Sequence, residues 1–233
     1  MIGIDDVVQS INATFSGCKI CFSRKDVPQN LVLPKDWELF GLRLEETAVY
    51  PQRWDSFSNE FPSVISLLRD CLLGTVLLLG DEVEMLYVFH DGKGFYYYLG
   101  GMPVERAVVE KAEFKHLPSR LQDFYREVHD GYTFFPARSM GPQRLSDQSR
   151  VSELVDEGDD SFAENWITVF SNGGGDYVAV ESDKLEETEG LIWWHEDPMT
   201  PVWKIDIFEV MDAWMSIFLE DIKPRAELVA KFY

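Results

Sequence analysis

The chain has 233 residues, enough for one large or two small domains, and its 45% apolar and 14% aromatic content excludes a disordered polypeptide. Its 41 acidic side chains against 21 basic ones give a formal charge of −20. Such a surface repels the phosphate backbone of nucleic acids and the face of an anionic membrane, and it steers basic proteins or cations toward itself.

The charge is uneven. Residues 1–116 carry 17 acidic and 11 basic side chains, whereas residues 117–233 carry 24 and 10, so most of the excess lies in the second half. The opening Met1-Ile2-Gly3-Ile4-Asp5-Asp6 lacks the basic patch and apolar run of a secretory leader, and the longest apolar stretch, Cys71 to Leu79, is too short to cross a bilayer. Three cysteines are no disulfide framework, so a cytoplasmic protein with reduced thiols is expected. Cys18-Lys19-Ile20-Cys21 has no second pair to complete a zinc site and reads as alternation in a strand.

In chain order, Ile4, Val7, Val8, Ile11 and Phe15 recur at helical spacing, with Asp5 and Asp6 at the N-terminal end and Gly17 beyond the other. From Cys18 to Tyr50 the pattern is short and irregular, with Leu31 to Leu33 and Leu39 to Leu44 as strand or loop pieces. Pro62 opens a second helix whose stripe is Val64, Ile65, Leu68 and Leu72. Met85 to His90 and Phe95 to Leu99 form a hairpin around Asp91-Gly92-Lys93-Gly94. Residues 104–115 lean to helix. Leu117-Pro118 opens a helix carrying Leu121, Phe124, Tyr125 and Val128, with Gly131 as its left-handed cap. Residues 132–150 read as extended and looped, and Val155 to Asp160 as an acidic loop. Ile167 to Phe170 and Tyr177 to Val180 form a second hairpin around Ser171 to Asp176.

Leu191 to His195 is the next strand, with Leu191, Trp193 and His195 on one face and Ile192 and Trp194 on the other. From about Asp206 a helix lines up Ile207, Val210, Met211, Trp214, Ile217 and Phe218, widened by Phe208, Met215 and Leu219, until Pro224 ends it. Strands mixed with helices and lacking regular βα alternation indicate an α+β protein, a mainly antiparallel sheet flanked by helices. The division expected is an N-terminal α+β extension or small domain over residues 1–114 and a second domain over 115–233.

The order Leu117-Pro118, an amphipathic helix ending at Asp130-Gly131, a strand ending at Asn172-Gly173-Gly174-Gly175-Asp176-Tyr177, then Gly190-Leu191-Ile192-Trp193-Trp194-His195-Glu196 and an aromatic C-terminal helix resembles the SMI1/KNR4 (SUKH) superfamily over residues 115–222. His129-Asp130-Gly131 stands where members often have Asn-Gly-Gly. The resemblance implies binding without catalysis or cofactor: an immunity protein that neutralises a cognate bacterial toxin, often a nuclease, or an intracellular scaffold with another client.

Several local features bear on that choice. Asp156, Glu157, Asp159 and Asp160 are the densest acid cluster, out of register for an EF-hand, and with Glu186 and Glu187 they are candidates for a partner-facing surface. Glu189 lies in the same expected loop. The glycine turn lacks the lysine and the following helix of a phosphate loop and carries Asp176 instead. His195-Glu196-Asp197 is the most enzyme-like cluster, and a hydrolase built on it requires a concave pocket there. Trp193 and Trp194 point to opposite faces, so Trp194 is the candidate aromatic anchor for a partner.

Overall fold

The computed structural model describes residues 2–104, 115–155, 163–182, 184 and 188–229. The chain forms an α+β structure that divides into two compact units, Met1–Met102 with Leu219–Tyr233, and Pro103–Phe218.

In the first unit, helix α1 (Ile4–Thr14) begins where the Asp6 carboxylate accepts the Gly3 N–H at 2.8 Å, and it buries Val7 and Ile11. Strands β1 (Lys19–Cys21) and β2 (Gly41–Leu42) are short, and helix α2 (Pro62–Asp70) starts on its proline and buries Val64, Ile65 and Leu68. Strands β3 (Gly74–Leu79), β4 (Val83–His90) and β5 (Phe95–Gly101) follow. They lie in the antiparallel order β1-β3-β4-β5, with β2 also paired to β3. The apolar stretch that is too short for a bilayer therefore supplies an interior strand, since β3 has neighbours on both edges and is buried from Gly74 to Leu78. A strand covered on both faces shows no alternation, which hides it from a search for period two. The β4–β5 hairpin closes as expected, because the Asp91 carboxylate accepts the N–H groups of Lys93 and Gly94, each at 2.6 Å. Two aromatic polar tips are matched: Trp54 Nε1 donates to the Tyr87 hydroxyl at 3.0 Å, and the Ser10 and Tyr97 hydroxyls lie 2.7 Å apart.

The second unit contains helix α3 (Ser119–Glu127), strands β6 (Asp130–Phe135), β7 (Gly141–Pro142), β8 (Trp166–Ser171), β9 (Tyr177–Glu181), β10 (Glu189–Trp193) and β11 (Val202–Asp206), and helix α4 (Ile207–Phe218). Five of these strands form an antiparallel sheet in the order β11-β10-β9-β8-β7. Helix α4 covers one face, burying Ile207, Phe208, Met211, Asp212 and Met215, with the Trp214 ring 5.7 Å from that of Phe170. On Val151, Ala163, Ala179, Leu191 and Trp193 a separate buried cluster forms, with Leu154, Val155, Trp166 and Tyr177 packed around it.

The structure corrects several expectations. Helix α3 ends at Glu127, and Gly131 is no helix cap: it takes φ +75° within β6, with the Arg144 backbone so close that a Cβ there would lie 2.7 Å away. Asp130 holds that segment by accepting the Leu145 N–H at 2.9 Å. The strand through Trp193 stops short of His195, and Glu189 opens β10 instead of lying in a loop. Strand β11 adds an element the periodicity did not reveal. Ile217 is 62% exposed, so the buried face of α4 runs through Ile207, Phe208, Met211 and Met215 and leaves Ile217 outside. Pro224 does not terminate α4; it caps the short helix α5 (Arg225–Leu228). Residues 105–114, where a helix was expected, lie outside the described residues, as do 156–162, 183 and 185–187.

The segment after α4 belongs to the first unit. Leu219, Ile222 and Leu228 are buried, Lys223 N–H donates to the His90 carbonyl at 2.9 Å, and Ile2 N–H donates to the Leu228 carbonyl at 2.9 Å. The Arg225 guanidinium donates to the Leu72 carbonyl at 2.8 Å and to the Arg69 carbonyl at 3.4 Å, satisfying the exposed end of α2. Cys18, Cys21 and Cys71 are free thiols, the last two buried. Among the described residues no helix is long and apolar enough to cross a membrane.

Candidate partner-binding surface

One end of the second unit's sheet brings together the β8–β9 turn and the β10–β11 connection. The turn is organised by Asn172, whose side-chain oxygen accepts the N–H groups of Gly174 at 2.8 Å and Asp176 at 3.1 Å, while its amide donates to the Asp176 carboxylate at 2.7 Å. Gly173 (φ +76°) and Gly175 (φ +100°) take the left-handed conformations the turn requires, and a Cβ on Gly175 would lie 2.9 Å from the His195 ring. Because Gly175 has no side chain, the imidazole lies against the turn.

His195 is held there by Asp176. One carboxylate oxygen accepts the His195 backbone N–H at 3.1 Å and lies 2.8 Å from the ring Nδ1. Because a carboxylate only accepts, Nδ1 carries the proton in that contact, which fixes the orientation of the ring. Partial burial works to raise the Asp176 pKa, but the hydrogen bonds from His195 and Asn172 outweigh it and hold the carboxyl below the usual range. The His195 side chain is 46% exposed and that of Asp176 16%. Around them Asp176, Trp194, His195, Glu196 and Asp197 line an open depression of about 420 Å³. The site is therefore an oriented imidazole in a shallow, acid-rimmed hollow, and none of these lining residues carries a hydroxyl or thiol nucleophile.

Strand β11 continues this rim along the edge of the sheet. It pairs Val202 with Ile192, Trp203 with Leu191, Ile205 with Gly190 and Asp206 with Glu189, so Lys204 is an extra residue, and it takes φ +61°. Met199 is 56% exposed, Val202 44% and Trp203 48%, so three large apolar side chains within five residues face solvent. Trp203 crosses Trp166 edge-on at 5.4 Å and 72°. At the base of the strand, Asp206 accepts the N–H groups of Phe208 at 2.9 Å and Glu209 at 3.2 Å, capping α4.

The expected partner-facing residues are distributed unevenly. Asp156, Glu157, Asp159, Asp160, Glu186 and Glu187 fall outside the described residues. Trp194 is half-buried, with its ring 6.2 Å from Trp214, so it faces the helix layer. The tryptophan with the larger exposed surface is Trp203, at 48%. The Asp176–His195 pair was not singled out from sequence. It depends on strand register: Trp193 pairs with Tyr177, which brings Asp176 to the chain just beyond β10, where His195 follows. Among the described residues no group of three or more histidine, cysteine or acidic side chains is placed to hold a metal ion. No protein-family model, curated protein or solved structure matches this chain.

Proposed function

We propose that this protein is an immunity-type inhibitor that binds a basic protein toxin and occludes its active site, without catalysing a reaction itself. The observation that carries the reading is the charge of the second unit. Between Arg150 and Phe218 the chain has 17 acidic residues and only two basic ones, Lys184 and Lys204. A field of that sign accelerates encounter with a basic cleft, and clefts that have evolved to hold phosphate, as in nucleases, are basic. The resemblance of residues 115–222 to the SMI1/KNR4 superfamily supports the same class of function. The succession of α3, the β8–β9 hairpin, β10 and α4 follows the order of the motifs that carry it.

The test is co-expression with a candidate basic toxin from a neighbouring gene. Growth should be restored and a complex should elute on gel filtration, and the association rate should fall severalfold between about 50 and 500 mM salt as the Debye length shortens. Persisting growth arrest without a complex would overturn the proposal.

A further inference from the structure

We propose that the first unit carries a docking hollow for a large apolar side chain flanked by basic residues on the partner protein. This rests on the reading that the partner is basic, and it names a further place where that protein is gripped. Ile2, Ile4, Leu42, Leu44 and Val229 supply the apolar part of an open hollow of about 860 Å³. That volume falls within the range of about 300–1,000 Å³ in which ligand sites lie. Helix α1 makes its core contact through Val7 and Ile11, whereas Ile4, its first residue, is 50% exposed. The side chain of Ile4 therefore borders the hollow without being needed by the core.

The walls come from three stretches distant in sequence, and main-chain bonds pin each of them. The Ile2 N–H donates to the Leu228 carbonyl at 2.9 Å, which ties the residues before α1 to the residue before Val229. The Arg43 N–H donates to the Leu73 carbonyl at 3.2 Å, which fastens the stretch after β2 at the start of β3. Asp6 closes the first turn of α1 by accepting the Gly3 N–H. A hollow held in this way exists before a ligand arrives, so binding adds little ordering cost.

Charge on the lining selects what flanks the apolar group. Arg43 is paired with Glu46 at 3.2 Å, so that carboxylate already has a cation. Asp5 and Glu45 line the same hollow, both are exposed, and neither side chain makes an ion pair or hydrogen bond among the described residues. Apolar walls beside two unanswered carboxylates suit a phenylalanine or leucine presented between lysines or arginines. The apolar group leaves water, and the cations stay at the wet edge, where pairing needs no desolvation. The second unit's field acts on the rate of encounter; this hollow adds area removed from water, which charge alone does not supply.

Two fluorescein-labelled peptides of equal charge, Lys-Lys-Phe-Phe-Lys-Lys and Lys-Lys-Ser-Ser-Lys-Lys, separate docking from bulk attraction when titrated by anisotropy at about 150 mM salt. The phenylalanine peptide should bind roughly fivefold to tenfold more tightly. Ile4→Ser, at an exposed position, and Leu42→Thr, on another wall, should each shrink that preference severalfold. Asp5→Asn with Glu45→Gln should weaken both peptides and leave their ratio unchanged. Equal affinity for the two peptides, or a preference that survives both wall variants, overturns the proposal. So does Glu-Glu-Phe-Phe-Glu-Glu binding as tightly as its lysine counterpart, because the hollow would then take any apolar ligand. Removal of residues 230–233 should leave affinity unchanged; a rise of about tenfold would make the chain's own next residues the occupant and overturn it likewise. If the preference is absent while co-expression restores growth, the inhibitor reading stands without this hollow. If the preference behaves as described but no toxin is neutralised, the hollow stands and the inhibitor reading falls.

Discussion

Replacing Gly190 by alanine tests how closely helix α4 sits on the second unit's sheet. Gly190 lies in β10 opposite Val180 and Ile205. A Cβ built there would sit 2.5 Å from the Ala179 carbonyl oxygen and 2.5 Å from the Ile207 methyl group. Ordinary contact begins near 3.4 Å, so roughly 1 Å must be recovered from two directions. The carbonyl belongs to the β9 backbone, and Ile207 is the fully buried first residue of α4, so neither can swing aside as a flexible side chain would. Overpacking of this kind costs about 1–3 kcal/mol, and two rigid neighbours place Gly190→Ala near the upper end, about 3 kcal/mol. Trp193, Trp194 and Trp214 lie in the same unit and report its unfolding by fluorescence. With a urea slope of about 1–3 kcal/mol per molar, the midpoint should fall by about 1–3 M. Gly17→Ala is the matched control, because a Cβ there meets nothing within 4 Å, and its midpoint should stay level or rise slightly. An unchanged midpoint for Gly190→Ala would refute the close-approach argument.

Three further outcomes are expected. His90 is buried, and burial depresses its pKa; its neutral Nδ1 accepts the Gly92 N–H at 2.8 Å. The unfolded chain then takes up the proton first, so the stabilisation is complete above about pH 6.5 and is lost as pH falls below that value until the native pKa is reached. Melting temperatures from pH 8 to pH 5 should show that decline, and His90→Gln should flatten it. In the returning C-terminal segment, Ile222→Ala removes a side chain only 5% exposed and should cost about 3 kcal/mol in chemical denaturation, whereas a loss below about 1 kcal/mol would mean the segment is loosely held. Burial pushes the Cys71 thiol up to about 11, so mass spectrometry after brief iodoacetamide treatment at pH 8 should find Cys18 alkylated well before Cys71.

What was legible in the sequence follows from how much of each element faces water. Helices α1, α2 and α3 alternate between core and solvent with a helical period, and both glycine-turn hairpins carry their turn chemistry on adjacent residues, so local pattern sufficed. Strand β3 is enclosed on both faces and offers no contrast for a period to register. Strand β11 fails for the opposite reason: Val202 and Trp203 are both exposed, and the bulge at Lys204 shifts the phase of what alternation remains. Ile217 fits the helical stripe by spacing, but nothing packs over that side of α4, and spacing alone says which residues share a face and not which face finds a neighbour. The Asp176–His195 pair joins residues 19 apart and depends on strand register.

The hydrogen bond between Ile2 and Leu228 has a consequence for biosynthesis. The first unit is completed by residues made after the whole of Pro103–Phe218, so the second is effectively an insertion within it. On the ribosome the inserted unit has all of its sequence before the surrounding one does, although that one was started first. Until Leu219 to Leu228 emerge, β4 and α2 wait with the His90 and Leu72 carbonyls unclaimed by Lys223 and Arg225. The inserted, more acidic unit is thus the part whose sequence is complete first.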